Sequence, residues 1–519
     1  MSDSIGWIIV AFVLYLLGMV AVGAAYTKKN NSAEDYFLGG RSLGGFVAAL
    51  SAQASDMSGW LLMGLPGSIY AYGTGQSWIA IGLFVGTVCN WLFISGRLRR
   101  YTIRANNSLT LPTYFENRFH DKKKILLLIS SITIVIFFLV YTASALAAGG
   151  KLFNSVLGVD YRIALTIGAL VILIYTFLGG FLAVCTTDFI QGTLMLVALL
   201  IVPLIALRIV GSDNLSAAVE ATGVAGGSKA FFDLLSNGER PYTAVEIISQ
   251  LAWGLGYFGM PHILVRFMAV KDEKELKKSK VTAIAWVLLS LGFACVIGAV
   301  GRAFLPTVLE GNDSEKVFIE MIIQIFTKEY ALPVIGGLFL CGILAAIMST
   351  ADSQLLVSAS SVAEDIYKGI INKDADDKKV LRISRITVFI IAVLAYLIAL
   401  DPNSSIMGLV SNAWAGFGSA FGPIVLLSLF WKRTNLQGAV AGIVSGALTV
   451  IVWDYIPLVK SVGEAGEAVR VTLGTSTGLY SLAVGFALSF VCAVVASLVS
   501  KAPDESITAA FEDVAGKRA

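Results

Sequence analysis

Residues 51–67 read SAQASDMSGWLLMGLPG. The stretch sits in an apolar region of membrane-helix length, yet it carries Asp56 and then Ser58, Gly59, Gly64, Pro66 and Gly67, residues that interrupt a helix. A second interrupted stretch, residues 253–262, reads WGLGYFGMPH. Lipid cannot satisfy backbone N–H and C=O groups freed by a break, so irregular backbone at membrane depth is tolerated only where it is buried in protein or lines a cavity. Glycines that merely let helices approach closely account for either stretch alone. Two such spans at corresponding places point to a substrate site.

Outward from these stretches the chain is apolar. Of 519 residues 56% are hydrophobic and 14% charged, against roughly 25% charged in a soluble domain. Apolar runs of the length a bilayer requires begin near Ile5, Leu43, Ser77, Lys124, Tyr161, Val184, Tyr242, Lys277, Ala331, Leu381, Ser404, Asn435 and Thr475. This gives an all-α polytopic membrane protein of about thirteen transmembrane helices. The first run has no basic residue before it and Lys28 and Lys29 after it, the reverse of a signal peptide. Basic residues then fill every second loop: Arg97 to Arg104 and Lys122 to Lys124, Lys271 to Lys280, Lys368 to Arg385, Lys432 and Arg433. The intervening loops are acidic or mixed, with Asp213, Glu220, Glu310 and Glu315. The positive-inside rule places the chain in the inner (plasma) membrane with its N-terminus outside and its C-terminus cytoplasmic. The acidic segment from Glu310 to Tyr330 has the spacing of an amphipathic helix on the outer surface.

The two interrupted spans stand five spans apart. An odd offset makes the two halves face opposite ways, a five-plus-five inverted repeat with binding at the midplane. The domains are then 1–42, a first helix and cytoplasmic loop; 43–210, the first five-helix repeat; 211–241, an extracytoplasmic loop; 242–431, the second repeat; 432–500, two further helices; and 501–519, a cytoplasmic tail.

Residues 345–354 read AAIMSTADSQ. Ala346, Ser349 and Thr350 share one helix face, and a hard cation such as sodium wants several carbonyl and hydroxyl oxygens. A Ser-Thr pair in a membrane helix also serves as an interhelical hydrogen bond. Asp56, Asp188 and Asp352 are acids inside spans and therefore functional candidates. The five cysteines show no CxxC spacing, and His120 and His262 have no acid partner at ligand spacing, so no metal other than sodium is expected. No catalytic acid pair or Ser-Lys motif presents itself, and the small net charge of +3 gives no nucleic-acid surface. The chain reads as a carrier rather than an enzyme, with no cofactor and no obligatory protein partner. A transporter-like solute sensor is the rival from another class.

The strings at residues 51–67, YFLGGRSLG at 36–44, YTFLGGFLAV at 175–184, WGLGYFGMPHI at 253–263 and ILAAIMSTADSQLL at 343–356 resemble the solute:sodium symporter family, most closely its sodium/proline branch. The resemblance runs from Tyr36 beyond Trp431 and implies a leucine-transporter-type carrier that moves L-proline with sodium by alternating access. Residue by residue it implies sodium held by the carbonyls of Ala54, Met57 and Ala346 and the hydroxyls of Ser349 and Thr350. It gives Asp56, Arg41 and Asp188 roles in sodium affinity or coupling, although Arg41 also reads as a positive-inside anchor. It places Ser58, Gly59, Tyr141, Trp253, Tyr257 and Pro261 at the substrate. Aromatic faces suit the ammonium of a zwitterion, and freed N–H groups in the broken span suit its carboxylate.

Three residues depart from the family pattern. Met260 stands where an amide is expected, removing a donor and an acceptor, which leaves open another small solute: another amino acid, a sugar acid or a vitamin. Asp352 replaces a small neutral residue and Ser353 a cysteine. A second cation site, or a proton-sensitive one, of Asp188, Asp352, Ser349 and Ser353 is therefore expected, unless Asp352 faces a wet vestibule or pairs with a basic residue.

Overall fold

The computed structural model describes residues 2–26, 33–176, 180–462 and 468–516. Lys28 and Lys29, and three residues of the string at 175–184, lie outside the described residues. The first six spans are α1 (Ser2–Tyr26), α2a (Gly45–Asp56) and α2b (Leu65–Tyr72), α3 (from Ser77 to Arg104), α4 (Ile125–Leu157), α5 (Tyr161–Thr176) and α6 (Phe181–Val210). There follow α7a (Ala244–Leu251) and α7b (Pro261–Ala269), α8 (Glu273–Phe304), α9 (from Pro333 to Ile371), α10 (Asp377–Ile398), α11 (Ile406–Phe430), α12 (Leu436–Tyr455) and α13 (Ser481–Val499).

Ten of these helices are long and apolar enough to cross a membrane. The remaining predicted spans are α5, which is shorter, and α2 and α7, each cut in two. Predicted and observed starts agree closely except for the last, because Thr475 lies in a separate turn of helix, Leu473–Thr477. A β-hairpin, β1 (Val459–Val462) paired antiparallel with β2 (Ala468–Val471), fills the loop before it. It is the one hairpin among the described residues, and the all-α expectation did not foresee it.

Helix starts are set by local chemistry. Asp272, Asp376, Ser405 and Asn435 each accept a hydrogen bond from a first-turn N–H, of α8, α10, α11 and α12 respectively. Thr243 and Glu246 form a reciprocal capping box on α7a. Each such cap satisfies an N–H that the helix itself leaves without a partner.

The core of the fold brings the two broken helices together. α2a packs against α6, α8 and α9, while the 3₁₀ turn Ala252–Gly259 between the halves of α7 packs against α3 and α11. Glycine permits the second contact, since a Cβ on Gly254 would run into the backbone of Gly82 and Gly86.

The segment expected as an amphipathic surface helix is instead built into the protein. Helix Val317–Ile323 buries Val317, Phe318, Met321 and Ile322 completely against α2b, α8 and α9. Beside it, Glu315 is buried in an ion pair with Lys151 of α4, N to O 2.5 Å, and also accepts hydrogen bonds from Ser405 and the N–H groups of Ile406 and Met407. An acid with a cation and a helix N-terminus at hand has no need of solvent, so Glu315 lies inside while Glu310, Asp313 and Glu329 of the same segment stay exposed.

Candidate functional site

α2a ends at Met57, whose φ of −86° and ψ of 80° leave the helix. The backbone resumes only through the wide turn Trp60–Gly64. The carbonyl of Asp56 accepts from Trp60 Nε1 at 3.0 Å and from Tyr141 Oη at 3.3 Å. Its carboxylate Oδ2 accepts from Tyr257 Oη at 2.6 Å, while Oδ1 accepts no hydrogen bond. Asp56, Tyr141 and Tyr257 thus tie the break in α2 to α4 and to the irregular turn of α7, with all three side chains buried.

One turn back, the carbonyl of Ala54 faces α9. Ser349 Oγ donates to it at 2.7 Å and Thr350 Oγ1 at 3.3 Å, and Ser349 Oγ also lies 3.2 Å from the carbonyl of Ala346. Four of the five expected sodium ligands therefore converge as neutral oxygens, fully buried, with no basic side chain hydrogen-bonded to them. Met57 sits at the break itself, its sulfur turned toward Ser290 of α8 at 3.5 Å.

A further turn back is a second cluster of a different kind. Arg266 of α7b donates to Asp188 Oδ2 at 3.2 Å, to Ser353 Oγ at 2.6 Å, to Ser51 Oγ at 3.2 Å and to the carbonyl of His262 at 2.7 Å. Ser51 donates to the same Asp188 oxygen at 2.7 Å, and Ser353 lies 3.4 Å from Asp352 Oδ1. Of the four residues expected as a second cation site, Asp188, Asp352 and Ser353 meet here, around a guanidinium that the chain itself provides. Ser349 belongs to the Ala54 cluster.

The sequence reading missed Arg266. Its signal was an arginine inside the half-helix that follows a break, where an ionisable residue is a functional candidate by default. Lys151 in α4 carried the same signal.

Of the six residues expected at the substrate, Trp253 and Pro261 line different cavities. Trp253 forms the floor of a cavity of about 480 Å³ opening on the acidic-loop face, stacked between Trp414 and Tyr480 with ring centroids 6.4 and 5.2 Å away. Pro261 begins α7b and lines a small cavity of about 20 Å³ toward the basic-loop face. Ser58, Gly59, Tyr141 and Tyr257 are buried at the break and line neither of these two. Gly59 is held by close approach, a Cβ there falling 2.7 Å from that of Ala148. Met260 is fully buried beside Pro261.

The basic-loop face is tied shut. Arg41 donates to the carbonyls of Met268 at 2.6 Å and Ser108 at 2.9 Å, and to Asn107 Oδ1 at 2.8 Å. Leu43 and Val270 form a parallel bridge, and Gly45 N–H donates to Glu275 at 2.6 Å. Arg41 therefore joins the start of α2a to the ends of α3 and α7b, a more specific task than anchoring at a membrane surface.

A family model described as the sodium:solute symporter family matches residues 36–446. A sodium/proline symporter of Haemophilus influenzae is 44% identical over 97% of this chain and 97% of its own length. The osmoregulated proline transporter of Bacillus subtilis is 42% identical over 96% and 95%. Among solved structures, a substrate-bound, outward-open sodium-coupled sialic acid symporter superposes with a TM-score of 0.74 at 17% identity, over 96% of this chain and 99% of the other. The overall fold is thus shared with a protein whose sequence has largely diverged.

Proposed function

The chain belongs to the sodium:solute symporter family, and from that premise we propose that it takes up L-proline coupled to sodium by alternating access. Near-full-length relatives named as proline carriers support the substrate. The observation that carries the mechanism is the convergence of the Ala54 and Ala346 carbonyls with the Ser349 and Thr350 hydroxyls at the break in α2. Sodium seated among these oxygens, with the Met57 carbonyl as fifth ligand, takes the lone pairs of the Ala54 carbonyl while the hydroxyls rotate to present their own. The ion then bridges α2 and α9 where hydrogen bonds bridge them now.

Sodium and substrate are linked through Asp56, two residues from Ala54. Its carboxylate holds Tyr257 and its carbonyl holds Tyr141, so ordering the break in α2 positions both aromatic side chains. Proline, a zwitterion with an apolar ring, finds there aromatic faces for its ammonium and, at Ser58 and Gly59, backbone freed by the break for its carboxylate. Solute approaches through the cavity above Trp253, and the Arg41 tie holds the other side closed until both ligands are bound. We assign the basic-loop face to the cytoplasm and the rocking motion to the two five-helix repeats.

The coupling is energetically sufficient. One sodium falling through about 150 mV yields roughly 3.5 kcal/mol, and a tenfold concentration gradient adds about 1.4 kcal/mol. The sum sustains a gradient of a neutral solute of about three thousandfold.

Uptake of labelled L-proline into proteoliposomes under an inward sodium gradient, against potassium and against Ser349→Ala with Thr350→Ala, tests the proposal. Sodium-dependent uptake that the double change abolishes is the expected result. Vesicles that carry another solute but no proline would overturn the substrate and leave sodium coupling standing.

A further inference from the structure

On the basic-loop face, a cavity of about 560 Å³ lies between the end of α3, helix Leu111–Arg118 and the C-terminal helix Glu505–Gly516. Arg118 is part of its wall. The residue is 2% exposed, and its Nε donates to the carbonyl of Ser428 at 3.2 Å, but neither Nη nitrogen has a hydrogen-bond partner. Tyr101 and Phe119 flank the guanidinium at 5.0 Å and Phe511 of the C-terminal helix at 5.7 Å. Aromatic faces stabilise the cation yet satisfy none of its in-plane donors.

None of the nearby acids is paired with Arg118. Glu116 pairs with Lys124 at 3.3 Å, Asp513 with Arg104 at 3.2 Å, and Asp121 Oδ2 accepts the N–H of Leu126 at 2.6 Å while its Oδ1 accepts no hydrogen bond. Burying a charged group with its donors unmet is unfavourable, and a bound anion removes that penalty. Lys122 adds positive charge to the same cavity, where Arg104 is paired with Asp513, and Glu116, Asn117, His120 and Asp121 line it as well.

We propose that this cavity is an anion site that takes a phosphate group on the Nη atoms of Arg118, with Arg104 and Lys122 contributing at its rim. Phosphate matches the two-pronged donor geometry of arginine. The C-terminal helix is its roof: Ile507 and Phe511 are buried over the site, so the anion reaches Arg118 as that helix lifts, and binding is linked to its seating. The phosphate comes from a lipid headgroup of the adjoining leaflet or from a soluble phosphate compound.

Thermal unfolding of the purified full chain separates these sources. One arm titrates inorganic phosphate against chloride at equal ionic strength in an uncharged detergent. The other compares nanodiscs of phosphatidylcholine with and without phosphatidylglycerol. A saturable rise in the unfolding temperature is expected in one arm, identifying the source, because a ligand that binds only the folded state stabilises it. Arg118→Gln lowers the apparent affinity at least about tenfold. Should that variant fail to fold, Arg104→Gln with Lys122→Gln weakens binding severalfold and leaves proline uptake intact. No saturable rise in either arm, or one that the variants retain in full, overturns the proposal.

Discussion

α2a meets its neighbours in two clusters one helical turn apart, and they solve opposite electrostatic problems. Around Ala54, Ser349 and Thr350 only neutral oxygens converge. Around Ser51, Asp188 and Ser353 the cation is already there, as Arg266. Both join α2 to α9, and both looked from the sequence like places for sodium. In the first no charge of the chain stands in the place proposed for the ion; in the second a charge of the chain holds α2, α6, α7b and α9 together. Serines and aspartates in spans are thus not enough to identify an ion site. What matters is whether a basic side chain folds into the same place.

The largest effect expected from this contrast is on the neutral cluster. Ser349→Ala with Thr350→Ala removes two cation ligands, each interaction with a charge worth about 1.5–3 kcal/mol, so apparent sodium affinity should fall about a hundredfold or more. Sodium-activation curves of proline uptake measure it, and a normal curve would erase the distinction between the clusters.

The Arg266 cluster should respond in stability instead. Arg266→Met strands the Asp188 carboxylate in a buried site, at a cost of about 3–5 kcal/mol, seen as a lower unfolding temperature in detergent. Adding Asp188→Asn should restore much of that loss. A double variant no more stable than Arg266→Met alone would mean that the pair does not act as one unit.

A smaller effect sharpens the link between the break in α2 and the aromatic residues. Tyr257→Phe deletes the hydrogen bond to the Asp56 carboxylate, worth about 1.5–3 kcal/mol, and should weaken apparent sodium or proline affinity by ten- to a hundredfold, roughly. Tyr141→Phe deletes a longer bond to a carbonyl and should cost about 1 kcal/mol or less. Equal effects in transport assays would argue against a special role for Asp56.

The smallest change is expected for Asp352→Asn. With Arg266 supplying the positive charge beside Ser353, the number of sodium ions carried per proline, measured by paired tracer fluxes, should stay the same. A lower ratio would support a second cation site at Asp188 and Asp352.

Much of this was legible in the chain order. Runs of apolar residues fix where helices span, because lipid leaves the backbone no other partner. Breaking residues at 54–67 and 253–262 marked both interruptions, since Gly, Pro and Asp interrupt a helix through local geometry. Ala346, Ser349 and Thr350 were found together because helical spacing alone puts them on one face. The β-hairpin before α13 was not legible, its strands being short and paired only with each other.

Contacts between distant segments belonged to the tertiary structure. The sequence by itself determined a membrane-embedded bundle with two broken helices and a hydroxyl-bearing face on α9, all consequences of local pattern in a solvent that forbids unpaired backbone. Only the fold decided that the Ala54 carbonyl meets Ser349 and Thr350, that Arg266 reaches across from α7b to Asp188, and that Glu315 is buried on Lys151. Charge compensation depends on which residues arrive at the same point in space, and spacing along the chain carries no record of that.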